Sequence, residues 1–286
     1  MSVAHGEQHS RLDAALVERG MLPTRARAQA AILAGEVYVD GEQATKAGRR
    51  VASGAVIEIR SRRPAFVSRG GLKLDHALAT FAVDVRGRRV VDAGASTGGF
   101  TDCLLKRGAA HVYAVDVGSG QLAWELRGDP RVTVLEGRNI RRLVADEVGG
   151  RVDLITLDLS FIGLGKVLPV LRGVLRPEGA VIALVKPQFE AGPKAAKRGV
   201  VRDADVHTEV LRRVIAEAEA AGFRAVDATY SPIAGPEGNL EYFLHLEASA
   251  EPSRPLDTGA IVRMAHERVS RRGGSRGKTS GVGTGR

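Results

Sequence analysis

The stretch that most constrains the fold of this chain is residues 88–99, Arg-Arg-Val-Val-Asp-Ala-Gly-Ala-Ser-Thr-Gly-Gly. The pattern predicts a short apolar strand that ends near Asp92, a turn that contains glycine, and a helix from Phe100 to Lys106. Glycine lets a backbone pass close to a ligand, and the N-terminus of a helix presents unpaired N–H groups. Strand, glycine turn and helix in this order are typical of the first unit of a nucleotide-binding α/β domain.

A second predicted strand, residues 111–115, ends in Asp116, where a carboxylate can accept both hydroxyl groups of a ribose. The turn lacks the glycine two positions after Gly94 that a dinucleotide pyrophosphate needs. Its Asp-x-Gly form is similar instead to the loop of methyltransferases that use S-adenosylmethionine. A tight turn that binds no ligand is the alternative. The resemblance gives these candidate cofactor-binding residues: Asp92, Gly94, Ala95, Ser96, Thr97, Gly98, Gly99, Phe100, Asp116 and Val117.

Length and charge bound the kind of protein this can be. The 286 residues, 44% of them hydrophobic, allow one large or two unequal domains with a sizeable core. A net charge of +9 favours an anionic partner, either nucleic acid or a membrane surface. The longest apolar run, residues 180–185, is far too short to span a membrane, and no secretory signal is visible, so we expect a cytoplasmic protein. The single cysteine, Cys103, excludes a disulfide framework and a cysteine-based zinc site, and we expect no metal.

The segment 11–62 predicts a small α+β module. A short helix comes first, a second helix runs from an N-cap at Thr24 to Gly35, and Asp-Gly at 40–41 marks a hairpin turn. This order resembles the S4-type RNA-binding domain, and the residues that carry the resemblance are Arg11, Leu12, Asp13, Leu16, Gly20, Arg25, Ala28, Ile32, Gly35, Val37, Val39 and Gly41. A helix–hairpin appendage with a solvated basic face is the alternative.

The S4 resemblance implies that Arg11, Arg25 and Arg27 contact phosphates, and Arg62 and Arg69 in the following basic linker are further candidates for RNA contact. The predicted organisation is a flexible N-terminus (1–10), the S4-like domain (11–62), a linker (63–70), a methyltransferase-like domain (71–250) and a C-terminal helix with a basic disordered tail (251–286). A helix is predicted from about Leu72 to Phe81. Lys73 then lies in its first turn, where a cation opposes the helix dipole and needs another partner.

The remainder alternates strands with helices. Strands are predicted at 89–93, 111–115, 132–135, 153–158, 180–185, 223–229 and 241–247, and helices near 100–107, 119–126, 163–175, 206–221 and 257–270. The first five strands are short apolar runs of the kind buried in a parallel sheet, and the last two, joined by a loop alone, should pair antiparallel. The predicted class is α/β: a doubly wound, seven-stranded, Rossmann-like sheet of the methyltransferase form beside the small S4-type domain.

Four charged residues are expected to meet at the carboxyl edge of this sheet. Asp158 ends the fourth strand, Lys186 ends the fifth and Glu241 begins the last, while Lys73 precedes the sheet. Methyl transfer to a hydroxyl needs a base, and a lysine can serve when its surroundings lower its pKa. Two ordinary salt bridges are the alternative.

The same four residues match the Lys-Asp-Lys-Glu tetrad of FtsJ-like 2′-O-ribose methyltransferases. Together with the S4 module and the junction Phe-Val-Ser-Arg-Gly-Gly-x-Lys-Leu at 66–74, the chain resembles the TlyA family of ribosomal RNA 2′-O-methyltransferases over residues 10–248. The resemblance implies S-adenosylmethionine as methyl donor and cytidine ribose in the RNA of one or both ribosomal subunits as target. It also implies Lys186 as base, with Asp158 and Glu241 orienting the base or the ribose and Lys73 assisting. Residues 64–67, Pro-Ala-Phe-Val, depart from the Arg-x-Trp-Val of some relatives.

Other readings of the sequence stay open. Methylation of a base is disfavoured because no cysteine nucleophile and no Asn/Asp-Pro-Pro-Phe/Tyr motif accompany the site. A noncatalytic RNA-binding or ribosome-assembly protein would not require the tetrad. Relatives have also been called haemolysins, but the predicted helices are amphipathic in the manner of packed domains. The sequence leaves the oligomeric state open, with a monomer among the alternatives.

Overall fold

The computed structural model describes residues 9–60, 65–192, 195–196, 199–249, 251–253 and 255–274. The chain separates into two compact units, residues 1–64 and 65–286, each considered by itself. The predicted flexible N-terminus up to residue 8, the candidate Arg62 and the tail beyond residue 274 lie outside the described residues.

The described residues of the N-terminal unit, 9–60, form two helices and five short strands. The elements in chain order are β1 (His9–Arg11), α1 (Leu12–Glu18), α2 (Arg25–Leu33), β2 (Val37–Val39), β3 (Glu42–Gln43), β4 (Arg50–Ala52) and β5 (Ile57–Ile59). Strands β3, β2 and β5 form one antiparallel sheet in that order, and β1 pairs antiparallel with β4.

Local sequence signals explain this unit well. The Thr24 side chain accepts the Arg27 N–H at 3.2 Å, which confirms the predicted N-cap of α2. Asp40 and Gly41 both have positive φ, 51° and 84°, as a two-residue hairpin turn requires. Leu12, Leu16 and Ile32 are completely buried in the unit's core, together with other apolar residues of the helices and strands.

The C-terminal unit is the α/β domain. Its elements are α3 (Arg69–Thr80), β6 (Arg89–Ala93), α4 (Gly99–Lys106), β7 (His111–Val115), α5 (Trp124–Arg127), β8 (Val132–Leu135), β9 (Val152–Leu157), α6 (Leu168–Val174), β10 (Leu175–Val185), α7 (Pro187–Glu190), α8 (Ala204–Ala220), β11 (Phe223–Tyr230), β12 (Tyr242–Ala248) and α9 (Thr258–Gly274), with 3-10 helices at Ile140–Arg142, Ala145–Val148, Leu164–Lys166 and Pro236–Gly238.

The seven strands form one sheet in the order β11-β12-β10-β9-β6-β7-β8. Strand β12 runs antiparallel to both of its neighbours, and the other paired strands are parallel. The predicted fold class and the antiparallel last strands are confirmed. Because β6 has β7 on one side and β9 on the other, the winding direction reverses between β6 and β9, which opens a crevice at their carboxyl ends.

Alternate residues of the central strands pack on opposite faces of the sheet. Val91 contributes to a core on the face covered by α6, α8 and α9, where Leu211 is completely buried. Val90 contributes to a second core that includes Leu74 of α3 and Leu104 of α4. Because these strands are buried on both faces, they read in the sequence as continuous apolar runs.

Three connections differ from the sequence-based prediction. The helix expected at 119–126 is limited to α5, because the Asp116 carboxylate accepts the Gly118 N–H and Gly120 has a φ of +73°. The helix expected at 163–175 is divided into a 3-10 turn and α6, which begins beside Pro169. Strand β10 begins five residues earlier than expected, at Leu175.

The start of α3 also differs. The helix begins at Arg69 after Ser68, so Lys73 lies in its second turn and the predicted conflict with the helix dipole is reduced. The described part of the predicted linker, residues 65–70, packs on the C-terminal unit: Phe66 is buried, and the Val67 N–H donates to Asp102 Oδ2 at 2.9 Å. A side chain at Gly71 would collide with Phe66, which explains a glycine inside this helix.

Candidate active site

The glycine turn after β6 closes against the end of β9. Gly94 has a φ of +84°, and a Cβ there would lie only 2.4 Å from the carbonyl oxygen of Asp158. Gly98 has a φ of +96°, and its Cβ would lie 2.2 Å from Leu126. Both positions therefore need glycine for conformation and for space. Ser96 adopts a positive φ of 46° without being glycine, which places it in a sparsely populated region of backbone space.

Asp116 at the end of β7 organises this turn. Its Oδ2 accepts the Ser96 N–H and its Oδ1 accepts the Gly118 N–H, both at 2.8 Å. The Ser96 hydroxyl donates to Gln121 Oε1 at 3.2 Å. Asp116 lines a cavity of about 420 Å³, and the candidates Gly94, Ser96 and Val117 line it too. The carboxylate thus stands where the second strand of a nucleotide-binding unit offers an acceptor to a ribose.

The other end of this cavity contains residues that the sequence reasoning missed. Arg138, Asn139 and Ile140 follow β8, and Phe161 follows β9. Phe161 is 89% exposed and has a φ of +65°. The signal that could have found them is their place just after a predicted parallel strand, since such residues collect at the carboxyl edge of a sheet.

Asp92 does not stand where a ligand could reach it. It is completely buried, and its two carboxyl oxygens accept the hydroxyl groups of Thr101 at 2.7 Å and Thr156 at 3.0 Å. Burial raises the pKa of its carboxyl to about 7. The prediction that Asp92 contacts the cofactor is therefore wrong for direct contact, and its side chain ties β6 to α4 and β9 beneath the turn.

A second cavity, of about 500 Å³, adjoins the first. Gly94, Ser96 and Asp158 line both cavities. The predicted cofactor residues Ala95, Thr97, Gly99 and Phe100 line the second one, and Lys73 and Arg69 of α3 line its other side. The loop between β11 and β12 completes the wall with residues 234–236. Gly98 lines neither cavity and serves the packing against α5.

Lys73 and Glu241 form a buried ion pair at this cavity. Lys73 Nζ donates to Glu241 Oε2 at 2.5 Å, and the two side chains are 10% and 0% exposed. Burial raises the pKa of the Glu241 carboxyl above its usual value, against the opposing effect of Lys73. Its Oε1 has no hydrogen-bond partner among the described residues and faces Gly235, where a Cβ would lie 2.1 Å away. The helix position of Lys73 thus has the partner that the sequence reasoning required.

Lys186 and Asp158 form the second ion pair, with Nζ and Oδ1 2.6 Å apart. Lys186 also donates to Ser160 Oγ at 3.1 Å. Lys186 and Asp158 both act on the pKa of the Glu241 carboxyl, which puts the two ion pairs within electrostatic reach of each other. Four charged side chains, from α3 and from the residues just before β12, just after β9 and just after β10, therefore meet beside the glycine turn. Such a group can hold a hydroxyl and accept its proton.

The RNA-contact candidates occupy different settings. Arg11 and Arg25 both bind the carboxylate of Asp13, which is completely buried, while their own side chains are 52% and 57% exposed. The hydrogen bond from Arg11, with help from Gln29, holds the pKa of the Asp13 carboxyl well below its usual range. Arg27 is exposed on α2. In the C-terminal unit, Arg69 donates to the carbonyl of Ala234 at 2.8 Å at the edge of the second cavity.

The described residues contain neither a metal-binding cluster nor a membrane-spanning helix. Within the described ranges, no group of three or more histidine, cysteine or acidic residues is placed to hold a metal ion. No helix in the described part of the chain is long and apolar enough to cross a membrane.

The doubly wound seven-stranded sheet, with a glycine turn and paired lysines and carboxylates at its switch point, defines the class of protein as an α/β methyltransferase. The family model of FtsJ-like methyltransferases matches residues 66–248, and that of the S4 domain matches residues 10–57. The chain belongs to the FtsJ-like methyltransferases and, by its 46% identity over 92% of its length to a TlyA protein, to the TlyA family within them.

Similar proteins agree with this assignment. The 16S/23S rRNA (cytidine-2′-O)-methyltransferase TlyA of Mycobacterium tuberculosis is 46% identical, covering 92% of this chain and 98% of its own. YqxC of Bacillus subtilis, provisionally named an rRNA methyltransferase, is 45% identical, covering 90% and 93%. A solved structure from Streptococcus thermophilus, under a provisional hemolysin name, is 39% identical with a TM-score of 0.72, and covers 94% of this chain and all of its own.

Proposed function

We propose that this protein is an S-adenosylmethionine-dependent 2′-O-ribose methyltransferase that acts on cytidine in ribosomal RNA. The observation that carries the proposal is the pair of lysine–carboxylate ion pairs, Lys73–Glu241 and Lys186–Asp158, beside the glycine turn. The named activity of the M. tuberculosis relative supplies the nucleotide and the RNA class.

The residues around the glycine turn fit S-adenosylmethionine. Asp116 offers carboxylate oxygens to the ribose hydroxyls, and the cavity that it lines extends past Asn139 and Phe161, with room for an adenine ring. The turn carries no phosphate-binding glycine pattern, which suits a cofactor with an amino acid in place of phosphates. The adjoining cavity, lined by Ala95 and Thr97, leads from there to Lys73 and Asp158. When bound, S-adenosylmethionine supplies a methyl group activated on a sulfonium.

The catalytic roles follow from the two ion pairs. Lys186 Nζ would accept the proton of the target 2′-hydroxyl as that oxygen takes the methyl group from the sulfonium. Asp158 and Ser160 fix the direction of that amine. Lys73 is held by Glu241 at the second cavity, where its ammonium can orient the ribose. Positioning of this kind accounts for a large part of the rate enhancement of many enzymes.

RNA recognition would use both units. The exposed arginines Arg11, Arg25 and Arg27 of the S4-type domain suit phosphate contacts with folded RNA. The ribose of a stacked nucleotide is difficult to reach, so the target nucleotide would leave the stack. Phe161, exposed at the edge of the cofactor cavity, offers an aromatic face to that base.

The test is methyl transfer from labelled S-adenosylmethionine to unmodified small and large ribosomal subunits, followed by digestion to nucleosides. We expect label in 2′-O-methylcytidine with the wild type. Lys186→Ala should lower transfer by about 100-fold or more and retain cofactor binding. Lys106→Ala is the matched control, because Lys106 pairs with Asp102 outside both cavities and should transfer normally.

The outcomes separate the alternatives. Label on a base would retain the methyltransferase and reject the tetrad mechanism. Cofactor binding without transfer to either subunit would favour a noncatalytic RNA-binding role. A leakage assay on lipid vesicles tests the membrane-active role that the hemolysin name of the S. thermophilus relative suggests, and we expect no leakage.

A further inference from the structure

The ion pair of Lys186 with Asp158 joins the turn after β10 to the loop after β9. The loop contains Asp158, Ser160 and Phe161, and the turn contains Lys186 and Phe189. Besides the contacts of Lys186 with Asp158 and Ser160, the rings of Phe161 and Phe189 approach with centroids 4.8 Å apart. The relative position of two separate segments therefore sets the geometry of the proposed base.

Glu190, the last residue of α7, also connects these two segments. Its side chain is 6% exposed, and its Oε1 accepts the N–H of Leu164 at 2.9 Å. A Cβ at Gly163 would lie 3.3 Å from Glu190 Oε2, so the backbone of the loop passes close to the carboxylate. Arg213 of α8 lies 3.9 Å from the same oxygen and also donates to the Glu190 carbonyl. Burial raises the pKa of this carboxyl above its usual value.

We propose that Glu190 is a positioning residue of the methyltransferase site: its carboxylate binds the loop after β9 to the turn that bears Lys186, and thereby sets the placement of Lys186 against Asp158. The inference rests on the proposed function, because it concerns the residue assigned as base. The Glu190 carboxylate is buried against the Leu164 amide and Arg213, so it acts through the position of Lys186.

The loop needs such a restraint. Phe161 has a φ of +65°, a conformation that bulky residues rarely adopt and that persists only where surrounding contacts enforce it. In α7, the N–H groups of Phe189 and Glu190 both donate to the Lys186 carbonyl, at 2.9 and 3.2 Å. Glu190 is thus rigidly connected to Lys186 on one side and hydrogen-bonded to the strained loop on the other.

Three substitutions of Glu190 separate the effect of its side-chain length from the effect of its charge. Glu190→Ala removes the contact, and Glu190→Asp retains the charge but is one methylene too short to reach the Leu164 N–H. Glu190→Gln retains an oxygen acceptor of the same length. Glu209→Ala, at an exposed position on α8, is the matched control. Steady-state methyl transfer to ribosomal subunits gives kcat and KM for each variant, and cofactor affinity is measured separately.

We expect Glu190→Ala and Glu190→Asp to lower kcat between about tenfold and 100-fold, because a misplacement near 1 Å has that effect. KM for the subunit and cofactor affinity should stay within about threefold, and Glu190→Gln and the control should stay near wild type in kcat. The Leu164 amide should exchange its hydrogen faster in the alanine and aspartate variants, a readout that does not depend on activity.

A double-mutant cycle excludes a merely structural role. If Glu190 acts by placing Lys186, combining Glu190→Ala with Ser160→Ala should lower kcat by clearly less than the product of the single effects, since both changes disturb the same amine. Multiplying effects, or an unchanged kcat in Glu190→Asp with faster Leu164 exchange, would overturn the proposal. The proposed function is judged separately, by the nucleoside that the wild type labels.

Discussion

At the scale of single residues, Gly94 shows how closely the turn is built around its neighbours. Its left-handed conformation and the nearby Asp158 carbonyl both exclude a side chain. Gly87 has a similar φ of +71° with open space around it, so it isolates the conformational part. We expect Gly87→Ala to lower the free energy of unfolding by about 1–2 kcal/mol. Gly94→Ala should lower it by about 2–5 kcal/mol and abolish cofactor binding. Urea denaturation of both variants measures these losses. Equal losses of unfolding free energy would contradict the close approach of the Asp158 carbonyl to Gly94.

Asp92 gives a prediction for pH. Because burial raises the pKa of its carboxyl to about 7, the folded protein retains a proton that the unfolded chain releases above its ordinary pKa of about 4. Stability therefore falls as pH rises from about 4 to about 7. Asp92→Asn has the same shape and cannot ionise, so its free energy of unfolding should gain on that of the wild type across this window. The gain is about 1.4 kcal/mol for each unit of pKa shift. Urea titrations of both proteins at pH 5 and pH 8 measure this gain. If the free energy of unfolding changes equally with pH in the two proteins, the raised pKa of Asp92 is refuted.

At the scale of elements, the N-termini of α1 and α2 are connected through Asp13. Arg11, Arg25 and Gln29 all donate to its buried carboxylate. We expect Asp13→Asn to lower the free energy of unfolding of the N-terminal unit by about 1–3 kcal/mol at pH 7. Since the pKa of this carboxyl is lowered in the folded state, the difference from wild type should shrink as pH falls below about 4. Amide hydrogen exchange of residues 12–33 reports this unit alone.

The control for that experiment is Asp84→Asn. Asp84 pairs with Arg86 on the surface, with side chains 52% and 79% exposed, so its loss should leave stability nearly unchanged. A comparable loss in both variants would mean that burial of Asp13 adds nothing to its pairing.

The elements also show which parts of the fold could be read from the sequence. The sequence identified all seven strands of the large sheet, most clearly the central ones, whose apolar runs are buried on both faces. The helix expected after β7 could not be excluded in this way, since the amide of Gly118 is taken by Asp116, a contact that depends on the folded turn. Local periodicity carries no information about such a competition.

The candidate site, too, is only partly predictable from the sequence. The carboxyl-edge rule places Asp158 and Lys186 together, and both prove to be partners in one ion pair. The sequence also puts Glu241 and Lys73 at this edge, but it does not show that these two pair with each other across 168 positions. Glu190 has no sequence feature that sets it apart from a surface carboxylate.

At the scale of the whole molecule, the two units should divide the work of binding. A chain that starts at Ala65 retains both cores of the methyltransferase unit, so its cofactor affinity should stay within about threefold of the full chain. Without Arg11, Arg25 and Arg27 it should bind ribosomal subunits more weakly and with a shallower dependence on salt. Filter binding at several salt concentrations checks this, and equal affinity and slope in both chains would reject an RNA-binding role for the N-terminal unit.

The position of β12 has a consequence for how the enzyme is made. This strand is the last of the sheet to leave the ribosome, yet it lies between β10 and β11 and, among the described strands, is the sole neighbour of β11. During synthesis β11 therefore emerges before the strand that it pairs with. The pairing of the sheet is complete only after residue 248 has emerged. Glu241 directly precedes this strand, so the four charged residues can meet only after residue 241 has emerged from the ribosome. Until then a nascent chain would lack the partner of Lys73 at the proposed site.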